Sequence, residues 1–425
     1  MTPQAQSGET AAAAEALGDL RVVEFTAGMA GPWVGRFMAY CGAEVIKVES
    51  HRHPSVVRLY VPPRKPALGT QPELSPWFTD WDAGKHFVTL DLSRPPGVEL
   101  ARRLAARADV VVENHSTGVM DKLGLGFEAL CRERPDLIML STSGFGDTGP
   151  DHSFVTWGPN IEALSGLSRI SGFPERECTI TQYAYPDALS ALHGLVAVMA
   201  ALDHRERTGE GQYINLSQLE ATVSAVGHVM MEPLATRCEP HKLANGSLNA
   251  APHGCYPCRG SDRWCVIAVT DEAAWRAFCG ALGQPAWSRE PRFATLTGRL
   301  THAADLDARV RAWTREREAE EVAEALQAVG VAADVVQNVA DQFERDPQLA
   351  ARDFFEKIPH RKLGTVVATG IPLGLTGTPG RTPWAGGAMG RDNERVFREL
   401  LGLSEQEFRT YTAAGAIEPC EETSA

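Results

Sequence analysis

The sequence predicts an α/β protein, a parallel sheet with crossover helices, joined to a smaller α+β domain. Three observations predict it. Residues 20–49 alternate strand, turn, helix and strand as LRVVEF, TAGMAGP, WVGRFMAYCG and AEVIKVE, the pattern that builds parallel sheets. At 425 residues the chain is too long for one compact core, so two domains are the default. Beyond residue 250 the alternation stops and short strands give way to consecutive helices.

Taken in order, residues 1–17 read as a disordered lead-in and 18–231 as the first part of the large domain. The turn after the first strand is where open α/β sheets place ligands, though Gly28 and Gly31 do not make a nucleotide fingerprint. Residues 51–83 are irregular and rich in Pro, Arg and Trp, a length of loop that is usually functional or mobile. The strand FVTLDL, the helix PGVELARRLAARA and the strand DVVVENH follow. The last is apolar throughout and ends in Asn114 and His115, as a central strand with polar groups at its carboxyl end would; a satisfied loop histidine is the plainer reading of His115. Residues 123–135 read as helix and LIMLSTS as strand. Gly144, Gly146 and Gly149 then spell G-x-G-x-x-G, but Pro150 and a polar run succeed it where a dinucleotide site needs a helix with an apolar face. We read a loop at the ligand edge of the sheet.

Residues 186–203, PDALSALHGLVAVMAALD, read as a buried helix. Leu189, Leu192, Leu195, Val196, Met199 and Leu202 recur at helical spacing. Pro186 suits a helix start. Asp187 stands where a short carboxylate accepts free backbone N–H groups and meets the positive end of the helix dipole. By spacing alone it is either a cap or a catalyst. The strand QYINLS and the helix QLEATVSAVGHVMM complete this part. Residues 232–250 read as a linker and 251–340 as the small domain: two strands around a turn at Gly260–Asp262, helices near 272–282, 303–314 and 317–329, and a strand near VAADVV. Residues 341–425 read as an extended return connection ending in two short helices.

Composition excludes several functions. A net charge of −13 argues against a nucleic-acid partner and a polybasic membrane surface. No apolar run approaches the ~20 residues of a membrane span, and the N-terminus lacks a signal-peptide pattern, so a cytoplasmic protein without membrane contact is expected. The nine cysteines have no framework spacing, which fits reduced thiols. Cys255-x-x-Cys258, with His253 and Cys265 nearby, lacks the second paired motif of a zinc site; ordinary thiols are the reading, and no metal is expected.

The chain resembles the class III CoA-transferases, the family of formyl-CoA transferase and the carnitine CoA-transferases, from about Leu17 to Ile417. The resemblance is carried by LRVVEFTAGMAGP, GAEVIKVE, GKHFVTLDLSRPPG, ADVVVENHSTGVMDKLGLG, STSGFGDTGP, the helix after Asp187 closing in ALDHRERTGEGQYINLSQLEA, and LTGTPG, in that order and spacing. It implies a Rossmann-like large domain built from both chain ends, a small domain from the middle, and ring-like subunits interlocked as a homodimer or heterodimer. It makes Asp187 the catalytic aspartate. It assigns CoA contacts to Gly28, Met29, Ala30, Leu90, Asn114, His115 and Lys122. Where formyl-CoA transferase has basic residues, this chain has Ser50 and Ser93, with Arg52 and Arg94 beside them as substitutes. Nothing matches that enzyme's glycine-rich loop in the small domain.

The implied reaction moves CoA between two carboxylic acids, with an acyl-CoA and a small acid as substrates and no tightly bound cofactor. An aspartate would pass through a mixed anhydride and an aspartyl-CoA thioester, and would need desolvation and oxyanion donors. We assign the donors to the backbone at Gly144 and Gly146, and the acyl wall to Trp157 and Met29. The segments WFTDWDAGKHF and WGPNIEALSG are similar to those of transferases for succinate-derived or aromatic acids, and Trp157 and Met29 favour an apolar acceptor acid; succinyl-CoA is the first donor to test. Two alternatives stay open. One is an α-methylacyl-CoA racemase, which needs two bases on opposite faces of the substrate; Pro159 and Asn160 stand where that enzyme has its histidine and neighbouring aspartate. The other is a non-catalytic partner subunit.

Overall fold

The computed structural model describes residues 15–60, 72–181, 183–237 and 242–420. Residues 1–14 of the expected lead-in, 61–71 of the Pro/Arg/Trp-rich loop and 238–241 of the expected linker lie outside the described residues. The chain divides into two compact units, one drawn from Met1–Ser168, Ile180–Cys238 and Ala351–Ala425, the other from Arg169–Thr179 and Glu239–Ala350.

The first unit is built on six parallel strands: β1 Arg21–Phe25, β2 Glu44–Glu49, β3 His86–Thr89, β4 Val110–Glu113, β5 Ile138–Ser143 and β6 Gln212–Ser217. Their spatial order is β3-β2-β1-β4-β5-β6. That order places β1 beside β4, with Phe25 opposite Glu113, so the carboxyl ends of these two strands border the crevice in which open α/β sheets bind ligands. The strands form because β-branched residues fill both faces. Val22, Val45, Val110, Val112, Ile138 and Leu140 pack with Val34 and Met38 of the Ala30–Tyr40 helix and Ala191 and Val198 of the Tyr185–Thr208 helix. On the other face Val23, Phe25, Ile46, Val111 and Met139 pack with Leu100, Leu104, Val396, Phe397 and Ile417. Each such side chain contributes about 1.5–3 kcal/mol of burial.

The second unit has an antiparallel sheet in the order β7-β8-β9: His253–Pro257, Trp264–Ala268 and Ala332–Val335. Helices Glu272–Ala281, Ala303–Thr314 and Ala319–Gln327 cover it through Phe278, Leu306, Val310, Val322 and Leu326. Cys258 and Cys265 belong to this core.

Several elements differ from the sequence reading. The stretch read as an extended connection holds the helices Val339–Glu344 and Pro347–Ala351 and an antiparallel hairpin, β10 Phe355–His360 with β11 Gly364–Thr369. Residues 123–135 contain only the single turn Phe127–Leu130. The Gln218–Thr236 helix runs into the region read as linker, past Pro233. The first of the two C-terminal helices, Glu394–Leu400, is π-type. The Tyr185–Thr208 helix also corrects the expectation about apolar length. It has 24 residues and a window of mean hydropathy 1.3, long and apolar enough by composition to cross a membrane; its buried face includes Ala191, Gly194, Val198 and Ala201, whereas Leu192 and Val196, expected in that face, are exposed.

Candidate active site

Asp187 is not the helix cap. Ala184 occupies that position, and Asp187 lies in the first turn with Tyr185 and Pro186 ahead of it. The backbone N–H groups of Ala30, the first residue of the Ala30–Tyr40 helix, and of Asp187 itself act to lower the pKa of its carboxylate. Gly158 sits against it: a Cβ there would stand 3.0 Å from Asp187 Oδ2. Burial, against those two hydrogen bonds, raises the Asp187 pKa to about 6. A helix N-terminus stabilises a carboxylate, but here no cation is among the causes of the shift.

The segment between β1 and that helix is pinned group by group. Asn114 Oδ1 accepts the Ala27 N–H at 2.8 Å, and Asn114 Nδ2 donates to the Ala27 carbonyl at 2.7 Å. Ser55 Oγ accepts the Gly28 N–H at 3.1 Å. Gly28 has φ +71°, and open space lies where a Cβ would be; glycine is needed for the left-handed turn and not for clearance. Lys47 Nζ donates to the Thr26 carbonyl and to Thr26 Oγ1, both at 3.1 Å. Lys85 Nζ donates to the Pro32 carbonyl at 2.8 Å.

Both lysines are fully buried and share two fully buried carboxylates. Lys85 lies 2.7 Å from Glu24 Oε1 and 2.7 Å from Asp82 Oδ1. Lys47 lies 3.4 Å and 3.2 Å from the same oxygens. Burial pulls the Asp82 pKa up, but Lys47 and Lys85 outweigh it and hold the carboxyl below its usual range. Burial likewise opposes the charge on Lys47, and Asp82, Glu24 and Glu49 overcome it, raising its pKa. Sequence reasoning missed this network. A second buried pair steadies the loop beyond β2: Arg58 binds Glu49 bidentately at 2.9 and 2.5 Å and lies 3.5 Å over the Phe78 ring.

The other expected residues fall into three groups. Met29 and Ala30 are buried, Ala30 carrying the N–H that acts on Asp187, whereas Leu90 is enclosed in the core with a backbone bridge to Ile417. At the end of β4, His115 donates its N–H to Glu113 Oε2 at 2.8 Å. Its imidazole is held below the usual range by burial and then by Lys47. Glu113 itself is pushed up to about 7 by burial, with Asp147 and Asp121 adding to the shift and bonds from Ser141 and His115 opposing it. Gly144 lies flat against Thr156, two residues ahead of Gly158, and Gly146 lies near Asn215. Trp157 is exposed, and its N–H is bound by the Asn160 side chain.

The third group is basic and exposed. Arg94 Nε binds Asp91 Oδ2 at 3.0 Å, and Arg52 Nε stands 3.4 Å from the same oxygen. Asp91 is held below the carboxylate range: burial opposes, and hydrogen bonds from Ser93 and Arg94 and the charge of Arg52 prevail. Lys122 is exposed at the end of the Val119–Lys122 turn.

The first unit thus combines a doubly wound parallel sheet, a carboxylate at a helix N-terminus with no cation among the causes of its shift, and exposed arginines beyond the strand ends. The chain belongs to CoA-transferase family III, whose family profile matches residues 17–393. It is a transferase, and enzymes of this class use CoA thioesters as substrates without a tightly bound cofactor. It is 32% identical over 401 residues to the succinyl-CoA–D-citramalate CoA-transferase of Chloroflexus aurantiacus, covering 94% of this chain and 98% of that one. To the succinate–glutarate CoA-transferase of Agrobacterium fabrum it is 29% identical over 384 residues, 90% and 95% of the two chains. The crystal structure of a CAIB/BAIF family protein from Brucella suis matches with a TM-score of 0.82 and 30% identity, over 90% of this chain and 98% of that one.

Proposed function

We propose that the protein moves CoA from a succinyl-CoA-type donor to a small carboxylic acid, with Asp187 as the nucleophile. One observation carries the reading: a carboxylate seated on the Ala30 N–H against Gly158, with burial as the main influence on its pKa. Such a group is ionised at neutral pH but poorly solvated, and so more reactive than a carboxylate in water.

The Asp187 carboxylate attacks the thioester carbonyl; the C–S bond breaks, CoA leaves as thiolate and a mixed anhydride forms. The thiolate attacks the aspartyl carbonyl, releasing the donor acid as carboxylate and leaving aspartyl-CoA thioester. The acceptor carboxylate attacks that thioester and expels the thiolate, which attacks the acceptor's acyl carbonyl and regenerates Asp187. No external proton or oxidant is consumed. The backbone at Gly144 and Gly146 serves the developing oxyanions. The Gly28–Ala30 turn, Asn114 and His115 meet the CoA chain; Arg52, Arg94 and Lys122 meet its phosphates; Met29 and Trp157 border the acyl group. The succinyl donor is supported by the two named relatives, which act on succinyl or succinate substrates. The assembly is an interlocked homodimer, to be tested by light scattering on the chain purified alone; a heterodimer is the other outcome.

Trapping tests the chemistry. The protein is incubated with succinyl-CoA, hydroxylamine is added, and peptides are mapped by mass spectrometry. A hydroxamate on Asp187, absent from Asp187→Ala, is the expected result. An unmodified Asp187 together with α-proton exchange from solvent would overturn the proposal in favour of racemase chemistry.

A further inference from the structure

We propose that Lys47 and Lys85 are positioning residues for Asp187: they hold the Thr26–Pro32 segment so that the Ala30 N–H stays aimed at the carboxylate. The inference rests on Asp187 being the nucleophile. Its ground is the placement of two ammonium groups on the two ends of one short segment. Lys47 takes the Thr26 carbonyl and Lys85 takes the Pro32 carbonyl. Ala30 lies between them. Asn114 and Ser55 fix Ala27 and Gly28 in the same stretch.

Filling the core does not explain these residues. Each lysine is fully buried, and its partners Glu24 and Asp82 are fully buried as well. Apolar side chains of similar volume commonly stabilise a core as well as a buried ion pair does, or better. What an apolar chain cannot do is bind a backbone carbonyl and two carboxylates at once, as the Lys85 ammonium does. The carboxylates are under-bonded even with both lysines in place: Glu24 Oε2 and Asp82 Oδ2 lack hydrogen-bond partners among the described residues. The network is charge-balanced and shielded from solvent, so it holds the turn independently of salt. A displaced donor matters because geometry errors of about 1 Å at a reacting group can cost on the order of a hundredfold in rate.

The groups that set the test are few. Burial and the N–H groups of Ala30 and Asp187 act on the Asp187 carboxylate. Asp82, Glu24 and Glu49 act on Lys47, and Lys47 acts in turn on His115. Loss of the Ala30 bond therefore removes an influence that lowers the Asp187 pKa, and the acid limb of the rate profile rises.

The experiment compares Lys47→Met and Lys85→Met with Leu100→Ala, a core substitution on the opposite face of the sheet. It measures kcat, KM and their pH profiles for CoA exchange from succinyl-CoA. The lysine variants should lower kcat at least about tenfold, leave the KM for acyl-CoA within about twofold, and move the acid limb up by about half a pH unit or more. Leu100→Ala should lower Tm without moving the limb. If the single variants fail to fold, Lys85→Met/Asp82→Leu removes one charge of each sign, keeps the balance, and should show the same limb shift. A limb at the wild-type position in folded variants overturns the inference. Asp187→Ala separates the two readings: if it still turns over, the nucleophile assignment fails; if it is dead while the lysine variants keep the wild-type limb, only the positioning role fails.

Discussion

Asp82, through Lys47 and Lys85, and Asp187 both bear on the segment that follows β1, and their surroundings push them in opposite directions. Asp82 is fully buried against two lysines and is held below the usual carboxylate range. Asp187 has two N–H donors, with no cation among the causes of its shift, and rises to about 6. On the proposed function, the difference separates a carboxylate that holds structure from one that is kept reactive. Compensated charge is stable and inert; charge that is dehydrated with little compensation is costly to keep and available for bond formation.

The comparison breaks most visibly at Asp187. Asp187→Asn should lower CoA transfer by on the order of a thousandfold or more, measured as kcat/KM, while leaving the circular dichroism spectrum unchanged. Its stability should depend on pH in a defined sense. An acid whose folded pKa is raised binds its proton more tightly in the folded state, so wild-type stability falls as pH rises from the unfolded value, about 4, through about 6. Asp187→Asn should therefore melt above the wild type at pH 8, and the gain should vanish near pH 4. A constant difference across that range would remove the claim that Asp187 is desolvated.

Asp82 has the opposite sign. Its depressed pKa contributes stability that is present above the unfolded value and lost as pH falls through the folded one. Asp82→Ala leaves two buried lysines sharing the Glu24 carboxylate and should destabilise the protein by about 3–5 kcal/mol, read by urea denaturation at pH 7.

How much of this was legible follows from the range of the interactions involved. β1, β4 and β5 could be read because RVVEF, VVVE and IMLSTS are apolar runs between turn signals, and local pattern decides them. Asp187 could be singled out at the head of an apolar helix. Its release from capping could not, because that depends on Ala184, not Asp187, standing at the cap. Lys47 in EVIKVE reads as one polar residue in a strand; only the fold brings it to Asp82, and Lys85 to a carboxylate 61 positions away. The β10–β11 hairpin was missed because its residues pair mostly through backbone and carry few buried side chains, Ile358 and Ala368 among them. The stretch therefore lacks a strong hydrophobic period.

A smaller effect sharpens the geometry around Asp187. Gly158→Ala places a methyl group 3.0 Å from Asp187 Oδ2, tight enough to shift the carboxylate but not to unfold the protein. The expected outcome is a loss of about tenfold in kcat with little change in Tm. An unchanged kcat would mean that the carboxylate moves away from Gly158 before reacting.

The smallest effect extends the comparison to the exposed charges. Arg52 and Arg94 share Asp91, but their side chains are 58% and 45% exposed, so water weakens both pairs and each is worth about 0–1 kcal/mol. Arg52→Ala should leave stability within about 0.5 kcal/mol. If Arg52 meets a CoA phosphate, the same substitution should raise the KM for acyl-CoA by about threefold to tenfold with kcat nearly unchanged, the signature of lost uniform binding. Salt provides the stricter test, because exposed charge pairs are screened within a Debye length of about 8 Å at physiological ionic strength. Raising the salt concentration should increase the wild-type KM more than that of Arg52→Ala, until the two converge. If the buried lysines position the site as proposed, kcat should stay level over the same range, since their network is closed to solvent. Parallel KM curves for the two proteins would assign the phosphates to other residues, with Arg94 and Lys122 the next to substitute.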